Sequence, residues 1–326
     1  MDTLTRLKHQ ATRIFARIVF PEGEDERTLR AVDRLGKEKV ARPILLGDEA
    51  RIRERARQLG LGLLGSRILD PAREATPERV EQLQRWLNLP DATEARARLV
   101  HPMNFGAFLV RSGDADAGVG GAVHTTADVL RAGIKIVGLQ PGVKTVSSFF
   151  LMEIPGPPAR VYFFADCGVV PVPTPEQLAD IAVTTAENFH KMTGTEPITA
   201  FLAFSTHGSA EHPSLEPIRA ALADARARAP QRVFDGELQL DAALVPEIAA
   251  RKCPHSPVAG KANVLIFPDL NAGNIGYKLV ERLGGARAVG PIVQGLAKPF
   301  CDLSRGAAAG DIFNVAVIAA ILSESL

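Results

Sequence analysis

Four short segments bring together side chains that can hold an anion or move a proton. The most C-terminal is Lys298-Pro299-Phe300-Cys301-Asp302-Leu303-Ser304-Arg305-Gly306, followed by Asp311. A serine hydroxyl, a guanidinium and a carboxylate in one short stretch offer a hydrogen-bond donor, a fixed cation and a base. Ser304 and Asp311 are seven residues apart, and Gly306 between them predicts a loop that folds back toward a helix starting at Asp311. An aspartate there can be a base, but taken alone it is more often only a cap.

The other three segments carry small residues, hydroxyls and amides. In Gly120-Gly121-Ala122-Val123-His124-Thr125-Thr126-Ala127-Asp128-Val129-Leu130-Arg131, the threonines and the aspartate can cap a helix that begins near Ala127. Free N–H groups at such a start suit an anion, and Arg131 follows one turn later. The alternative is an ordinary cap with a surface arginine. In Phe204-Ser205-Thr206-His207-Gly208-Ser209-Ala210, Ser205 and Ser209 are candidate contacts for a phosphate or carboxylate. In Phe267-Pro268-Asp269-Leu270-Asn271-Ala272-Gly273-Asn274-Ile275-Gly276, Asn271 and Asn274 play that part. Each can equally be a tightly built turn between a strand and a helix.

The elements needed to position these segments are visible as a rhythm. Arg17 to Phe20 reads as a buried strand, Asp25 to Lys37 as an amphipathic helix, Pro43 to Leu46 as a strand and Asp48 to Leu59 as a charged helix. The pattern returns with a strand at Val161 to Phe164 and a helix from Pro175 to His190 capped by Thr174. Further strands are expected at Ala200 to Phe204, Ala262 to Phe267 and Ala288 to Val293, and an apolar helix at Asp311 to Leu322. Strands alternating with helices predict mostly parallel sheets covered by helices. Ligands of such sheets bind at the carboxyl ends of the strands, which is where the four segments fall. Periodicity breaks at Pro155-Gly156-Pro157-Pro158 and at Gly284-Gly285.

Other chemistries lose ground. There is no GxGxxG, no P-loop, no GxSxG and no HExxH, and the 7 histidines are scattered. The 38 basic residues nearly balance the 37 acidic ones for a net charge of +1, which argues against nucleic acid or an anionic membrane as partner. The 3 cysteines are far apart and form no CxxC, so neither a disulfide framework nor a structural zinc site is expected. No membrane span or signal peptide is apparent, and the expected location is the cytoplasm. A chain of 326 residues is long enough for two domains.

Together the segments resemble the phosphate acetyltransferase (phosphotransacetylase) family. The matching stretches are IVFPEGEDERTLRA, GGAVHTTADVLR, FADCGVVPVPTPEQLADIA, FSTHGSA, DGELQLDAALVPEIA, SPVAGKANVLIFPDLNAGNIGYK, GPIVQGLAKP and DLSRGAAAGDIFNV, in family order over nearly the whole chain. The resemblance implies an acyltransferase for acetyl phosphate + CoA ⇌ acetyl-CoA + phosphate, by direct attack of a thiolate in a ternary complex. CoA is then a substrate, and no cofactor or metal is implied. It also implies two three-layer α/β domains with an interdomain active-site cleft, in a homodimer. On this chain the first domain is expected at 1–145 plus 290–326 and the second at 146–289.

By the same resemblance, Asp311 takes the thiol proton, Ser304 orients the thiol or acyl group, and Arg305 holds the acyl phosphate. Arg131 resembles an arginine of the CoA site. Arg85 resembles a further one, although Gln84-Arg85-Trp86-Leu87-Asn88 lacks the usual Lys-His-Lys-Gly. A thiol of pKa about 8.5 is mostly protonated at pH 7, and an ordinary aspartate of about 3.9 is a weak base for it. The chemistry therefore needs loss of water around the carboxylate, or a cation such as Arg305 beside the thiolate. Departures from the family pattern are His207 for Lys, Val170 and Val172 for asparagines, Ala132-Gly133 for a proline, and Cys301 for Asn. Two further readings fit the residues: an acyltransferase preferring propionyl or butyryl groups, and a non-catalytic acyl-CoA sensor.

Overall fold

The computed structural model describes residues 3–157 and 159–325. The chain forms two compact units. One ends at Pro141 and resumes at Leu296; the other is Gly142–Gly295. The expected boundaries at 145/146 and 289/290 are thus displaced by a few residues. The strand Arg287–Gln294 pairs along its length with Ser147–Ile154, so it stays whole in the second unit.

The first unit holds a five-stranded, fully parallel sheet. Its strands are β1 (Arg17–Phe20), β2 (Arg42–Leu46), β3 (Arg67–Leu69), β4 (Ala117–Gly120) and, from the end of the chain, β11 (Phe300–Asp302), in the order β11-β4-β1-β2-β3. Ile18, Val19 and Phe20 are all buried, as expected for a central parallel strand covered on both faces. The helix Glu26–Lys37 begins where the Asp25 carboxylate accepts the Arg27 and Thr28 N–H groups, and it buries Leu29, Val32 and Leu35. The helix Ala309–Leu322 is apolar around nearly its whole circumference, because it packs on β1 and β4 and on the helices Thr3–Ile14 and Glu26–Lys37.

In this sheet the chain runs outward from β1 to β2 and β3, then restarts on the other side with β4. The reversal lies between β1 and β4, where open α/β sheets bind ligands. In register, Asp302 of β11 stands beside Gly120 of β4. The loops after β1, β4 and β11 therefore leave the sheet at one end.

The second unit holds six strands in the order β10-β5-β6-β9-β7-β8: β5 (Ser147–Ile154), β6 (Arg160–Ala165), β7 (Ile198–Leu202), β8 (Val233–Leu238), β9 (Val264–Ile266) and β10 (Arg287–Gln294). From β6 to β8 the sheet is parallel, while β5 runs antiparallel to both β6 and β10. The break around Pro155-Gly156-Pro157-Pro158 falls between β5 and β6, inside this unit, with Pro158 outside the described residues. Gly284-Gly285 closes the helix Leu270–Gly284, with Gly285 in the left-handed region at φ 68°. Thr174 caps the helix Pro175–Thr193 through a reciprocal bond pair with Gln177. Ala165, Ile266 and Phe201 lie abreast, so the loops after β6, β9 and β7 share one end of this sheet.

Candidate active site

At the carboxyl end of the first sheet, one buried carboxylate organises the backbone. Glu22, just after β1, accepts the N–H groups of Ala122 at 2.7 Å, Val123 at 2.8 Å and His124 at 2.7 Å, and the His124 Nδ1 lies 2.9 Å away. Three consecutive amides curled round an anion form a nest. Here the anion is the protein's own, so these donors are already engaged and do not await a substrate.

Arg27, in the first turn of the helix Glu26–Lys37, supplies a second brace. Its guanidinium donates to the carbonyls of Arg305 at 2.7 Å, Ala307 at 3.2 Å and Ala122 at 2.6 Å, and pairs with Asp25 at 2.9 Å. One planar cation thus ties the loop after β11 to the loop after β4. Neither Glu22 nor Arg27 was singled out from the sequence, although both lie in the IVFPEGEDERTLRA stretch. Their partners are about 100 and 278 residues away, beyond the reach of local pattern.

Ser304, Arg305 and Gly306 form an exposed loop before the helix Ala309–Leu322. The Ser304 Oγ accepts the Gly306 N–H at 3.3 Å, which leaves its own proton available to donate outward. Asp311 sits in the first helical turn, where one oxygen accepts the Ala308 N–H at 2.8 Å. It is therefore a cap, and no described hydrogen bond engages its second oxygen. Asp311 is exposed, so in the unliganded protein no apolar wall strips water from it.

Thr125 caps the helix Thr126–Ala132, accepting the Asp128 N–H and donating its hydroxyl to Asp128 at 2.7 Å. Asp128 also pairs with Arg131 at 2.8 Å, and the Arg131 side chain remains 59% exposed. Thr126 donates to Asp302 at 2.7 Å. Both threonine protons are thus held by protein carboxylates. The expected cap is present, formed by Thr125 with Asp128 in a reciprocal pair. Asp302 is buried, and burial pushes its carboxyl up to about 6, with the nearby Glu22 charge adding to the rise and the Thr126 hydroxyl opposing it. Arg85 is exposed in the last turn of the helix Pro77–Leu87, and no described hydrogen bond or ion pair links it to the residues above.

In the second unit, Asp166 after β6 accepts the Ser148 hydroxyl and the N–H groups of Gly168, Val169 and Val170. Gly273 lies hard against this turn, where a Cβ would meet the Asp166 carbonyl oxygen at 2.2 Å. Asn274 donates to the Cys167 carbonyl at 3.1 Å and accepts from Lys278 at 2.8 Å, so its amide holds the same turn. Asn271 is exposed in the first turn of the helix Leu270–Gly284.

Ser205 departs from expectation. It is fully buried, and its hydroxyl donates to Glu237 at 3.0 Å. Burial acts to raise the Glu237 carboxyl, but Arg219, the Gly208 N–H and Ser205 outweigh it and hold it down at about 2. Ser205 therefore shapes the loop from within. Ser209 is exposed; it accepts the Thr206 N–H at 3.0 Å and, because Ser205 donates to Glu237, is the donor in its 3.4 Å contact with the Ser205 Oγ.

The family model described as phosphate acetyl/butaryl transferase matches residues 2–320. The chain belongs to this family. A phosphate acetyltransferase of Thermoanaerobacterium thermosaccharolyticum is 46% identical over 317 residues, covering 94% of this chain and 95% of its own. One from Bacillus subtilis is 45% identical over 321 residues and covers 98% of both chains. Among solved structures, a phosphotransacetylase from Streptococcus pyogenes matches with a TM-score of 0.93 at 40% identity, over 99% of each chain.

In this phosphate acetyl/butaryl transferase the departures from the family pattern acquire places. His207 adopts a left-handed φ of 45° and reaches the buried Asp235 at 3.1 Å. Cys301 is wholly buried within β11, as a packing residue. Val172 is 79% exposed and Val170 partly buried. The described residues hold no group of three or more His, Cys, Asp or Glu able to bind a metal, and no helix long and apolar enough to cross a membrane.

Proposed function

We infer that this chain is a phosphate acetyltransferase that moves an acetyl group reversibly between acetyl phosphate and the thiol of CoA. The observation that carries the reading is the Ser304-Arg305 loop, braced through its backbone by Arg27 and followed by Asp311, in a chain of this family. Its roles follow from donor inventory. The unbonded oxygen of Asp311 takes the thiol proton. The thiolate attacks the carbonyl carbon, and the Ser304 hydroxyl donates to the oxyanion. The carbon–oxygen bond to phosphate then breaks, and phosphate leaves against the Arg305 guanidinium, which matches its oxygens in pairs.

Because Asp311 is exposed, the dry surroundings the proton transfer needs come from the bound substrates themselves. All three cysteines are buried, so no thiol is presented for an acyl-enzyme, and direct transfer in a ternary complex is the simpler route. Arg131, exposed on its helix, contributes charge to CoA binding; Arg85 is assigned the same part. In the second unit Ser209 and Asn271 are the exposed groups offered to substrate, while Ser205 and Asn274 support them. CoA is a substrate rather than a cofactor. The protein acts in the cytoplasm as a homodimer, for which the exposed Ile275, Leu279 and Leu283, spaced four apart on one helix face, offer apolar surface.

The test is thioester formation, followed by ultraviolet absorbance, with CoA and acetyl, propionyl or butyryl phosphate. Turnover best with acetyl phosphate supports the inference. A longer preferred acyl group would replace acetyl in it, and CoA binding without turnover would overturn it in favour of a sensor.

A further inference from the structure

Thr126 and Asp302 form a pair that the reaction scheme above does not use. Asp302 is 2% exposed at the end of β11, and its Oδ2 accepts the Thr126 hydroxyl at 2.7 Å. Its Oδ1 is buried without a well-formed hydrogen bond, and the Leu303 N–H lies close enough to the carboxyl to favour its charge. The carboxyl is fitted into the loop after β4 by Gly121, whose φ of 102° suits glycine and where a Cβ would meet Oδ1 at 2.3 Å. Thr126 itself is exposed. The arrangement is a surface hydroxyl whose polarity is set from beneath.

An ionised carboxylate can only accept hydrogen bonds. While Asp302 is ionised, the proton in the 2.7 Å contact is therefore the threonine's. Thr126 Oγ1, on an exposed residue, is then left with lone pairs only for any further partner. Such a group repels phosphate oxygens and welcomes a donor. The neighbouring Thr125 differs, because its hydroxyl donates to Asp128 and also accepts the Asp128 N–H.

We propose that Thr126 Oγ1 accepts a hydrogen bond from a donor group of the CoA substrate, and that Asp302 imposes this role by holding the Thr126 proton. This rests on the acetyltransferase reading. CoA carries a thiol S–H, which acetyl-CoA lacks, and amide, hydroxyl and adenine donors, which both share; acetyl phosphate and phosphate at neutral pH offer mainly acceptors. Glu22, with His124 beside it, is the charged neighbour of Asp302 across the same loop, and like charge together with burial keeps Asp302 only just ionised at neutral pH. The role is therefore tested at pH 8.

The experiment compares the wild-type protein with Thr126→Val, which keeps the shape and removes the hydroxyl, and Thr126→Ser, which keeps the hydroxyl. A single neutral hydrogen bond predicts a 3- to 10-fold rise in KM for CoA in Thr126→Val. KM for acetyl phosphate and for phosphate should stay within twofold, and Thr126→Ser should restore CoA binding. If acetyl-CoA is weakened as much as CoA, the donor is one that both carry; if CoA alone is weakened, it is the thiol. Unchanged KM for CoA in Thr126→Val, an equal effect on phosphate, or no rescue by serine would each overturn the proposal. Absence of thioester formation by the wild-type protein would instead overturn the reading on which it rests.

Discussion

The guanidinium of Arg27 donates to the main-chain carbonyl of Arg305 at 2.7 Å, across 278 residues of sequence. An arginine at the start of the first unit thus fixes the backbone of the arginine assigned to the acyl phosphate. The same group holds Ala307 and Ala122, so its removal frees both loops together.

Arg27→Ala should lower kcat/KM by about 100-fold, since small misplacements of positioned groups cost that much. Stability should fall by only about 1–2 kcal/mol, because the side chain is partly exposed. Arg27→Lys cannot reproduce the three-carbonyl fork and should recover little. Steady-state kinetics beside urea denaturation separates the two effects; loss of activity in proportion to unfolded protein would make Arg27 merely structural.

Asp302 makes the first unit sensitive to pH in a definite direction. Burial is the chief cause that pushes its carboxyl up to about 6 in the folded protein, above the ordinary aspartate value of about 3.9. The folded state therefore holds this proton more tightly, and the stabilisation is present below pH about 4 and lost as pH rises through about 6. At 1.36 kcal/mol per unit the full loss is at most about 3 kcal/mol. Asp302→Asn, which cannot ionise, should gain stability relative to wild type between pH 4 and pH 8. Parallel stability curves for the two proteins over that range would contradict the assignment.

Ser205 should behave as a framework residue. Ser205→Ala removes a buried donor to Glu237 and should cost about 1–3 kcal/mol. KM for CoA and for acetyl phosphate should remain within about twofold. Glu237, held down at about 2, stabilises the second unit above its ordinary carboxylate range and ceases to do so as pH falls toward 2. Acid unfolding followed by circular dichroism should begin at higher pH in Arg219→Ala than in wild type. A tenfold change in either KM for Ser205→Ala would return that residue to the substrate.

Among the described residues Arg131 pairs with Asp128, and it is largely exposed. Arg131→Ala should raise KM for CoA about tenfold and leave kcat within about twofold, the pattern of uniform binding lost. An unchanged KM would mark it as a helix-surface residue.

Much of the fold is legible in the sequence. The strands around Val19 and Phe163 and the cap at Thr174 announced themselves because periodicity and capping are local. The antiparallel pairing of β5 with β6 and β10 did not, since an apolar run carries no sign of its partner's direction. Among site residues, the loop at Ser304 to Gly306 was legible from glycine and spacing, and the helix expected from Asp311 begins two residues earlier, at Ala309. The burial of Ser205 was not legible, because residue type does not report burial. Glu22, Arg27 and Asp302 were passed over because charged residues are ordinarily at the surface, whereas these act through contacts far away in sequence.

The most direct measurement is kcat and KM for CoA in the wild-type protein and Asp311→Asn, with acetyl phosphate as acyl donor. Loss of a general base predicts a 100- to 10,000-fold fall in kcat with KM for CoA within about threefold. Turnover by Asp311→Asn at the wild-type rate would contradict the assignment of Asp311 as the group that takes the thiol proton.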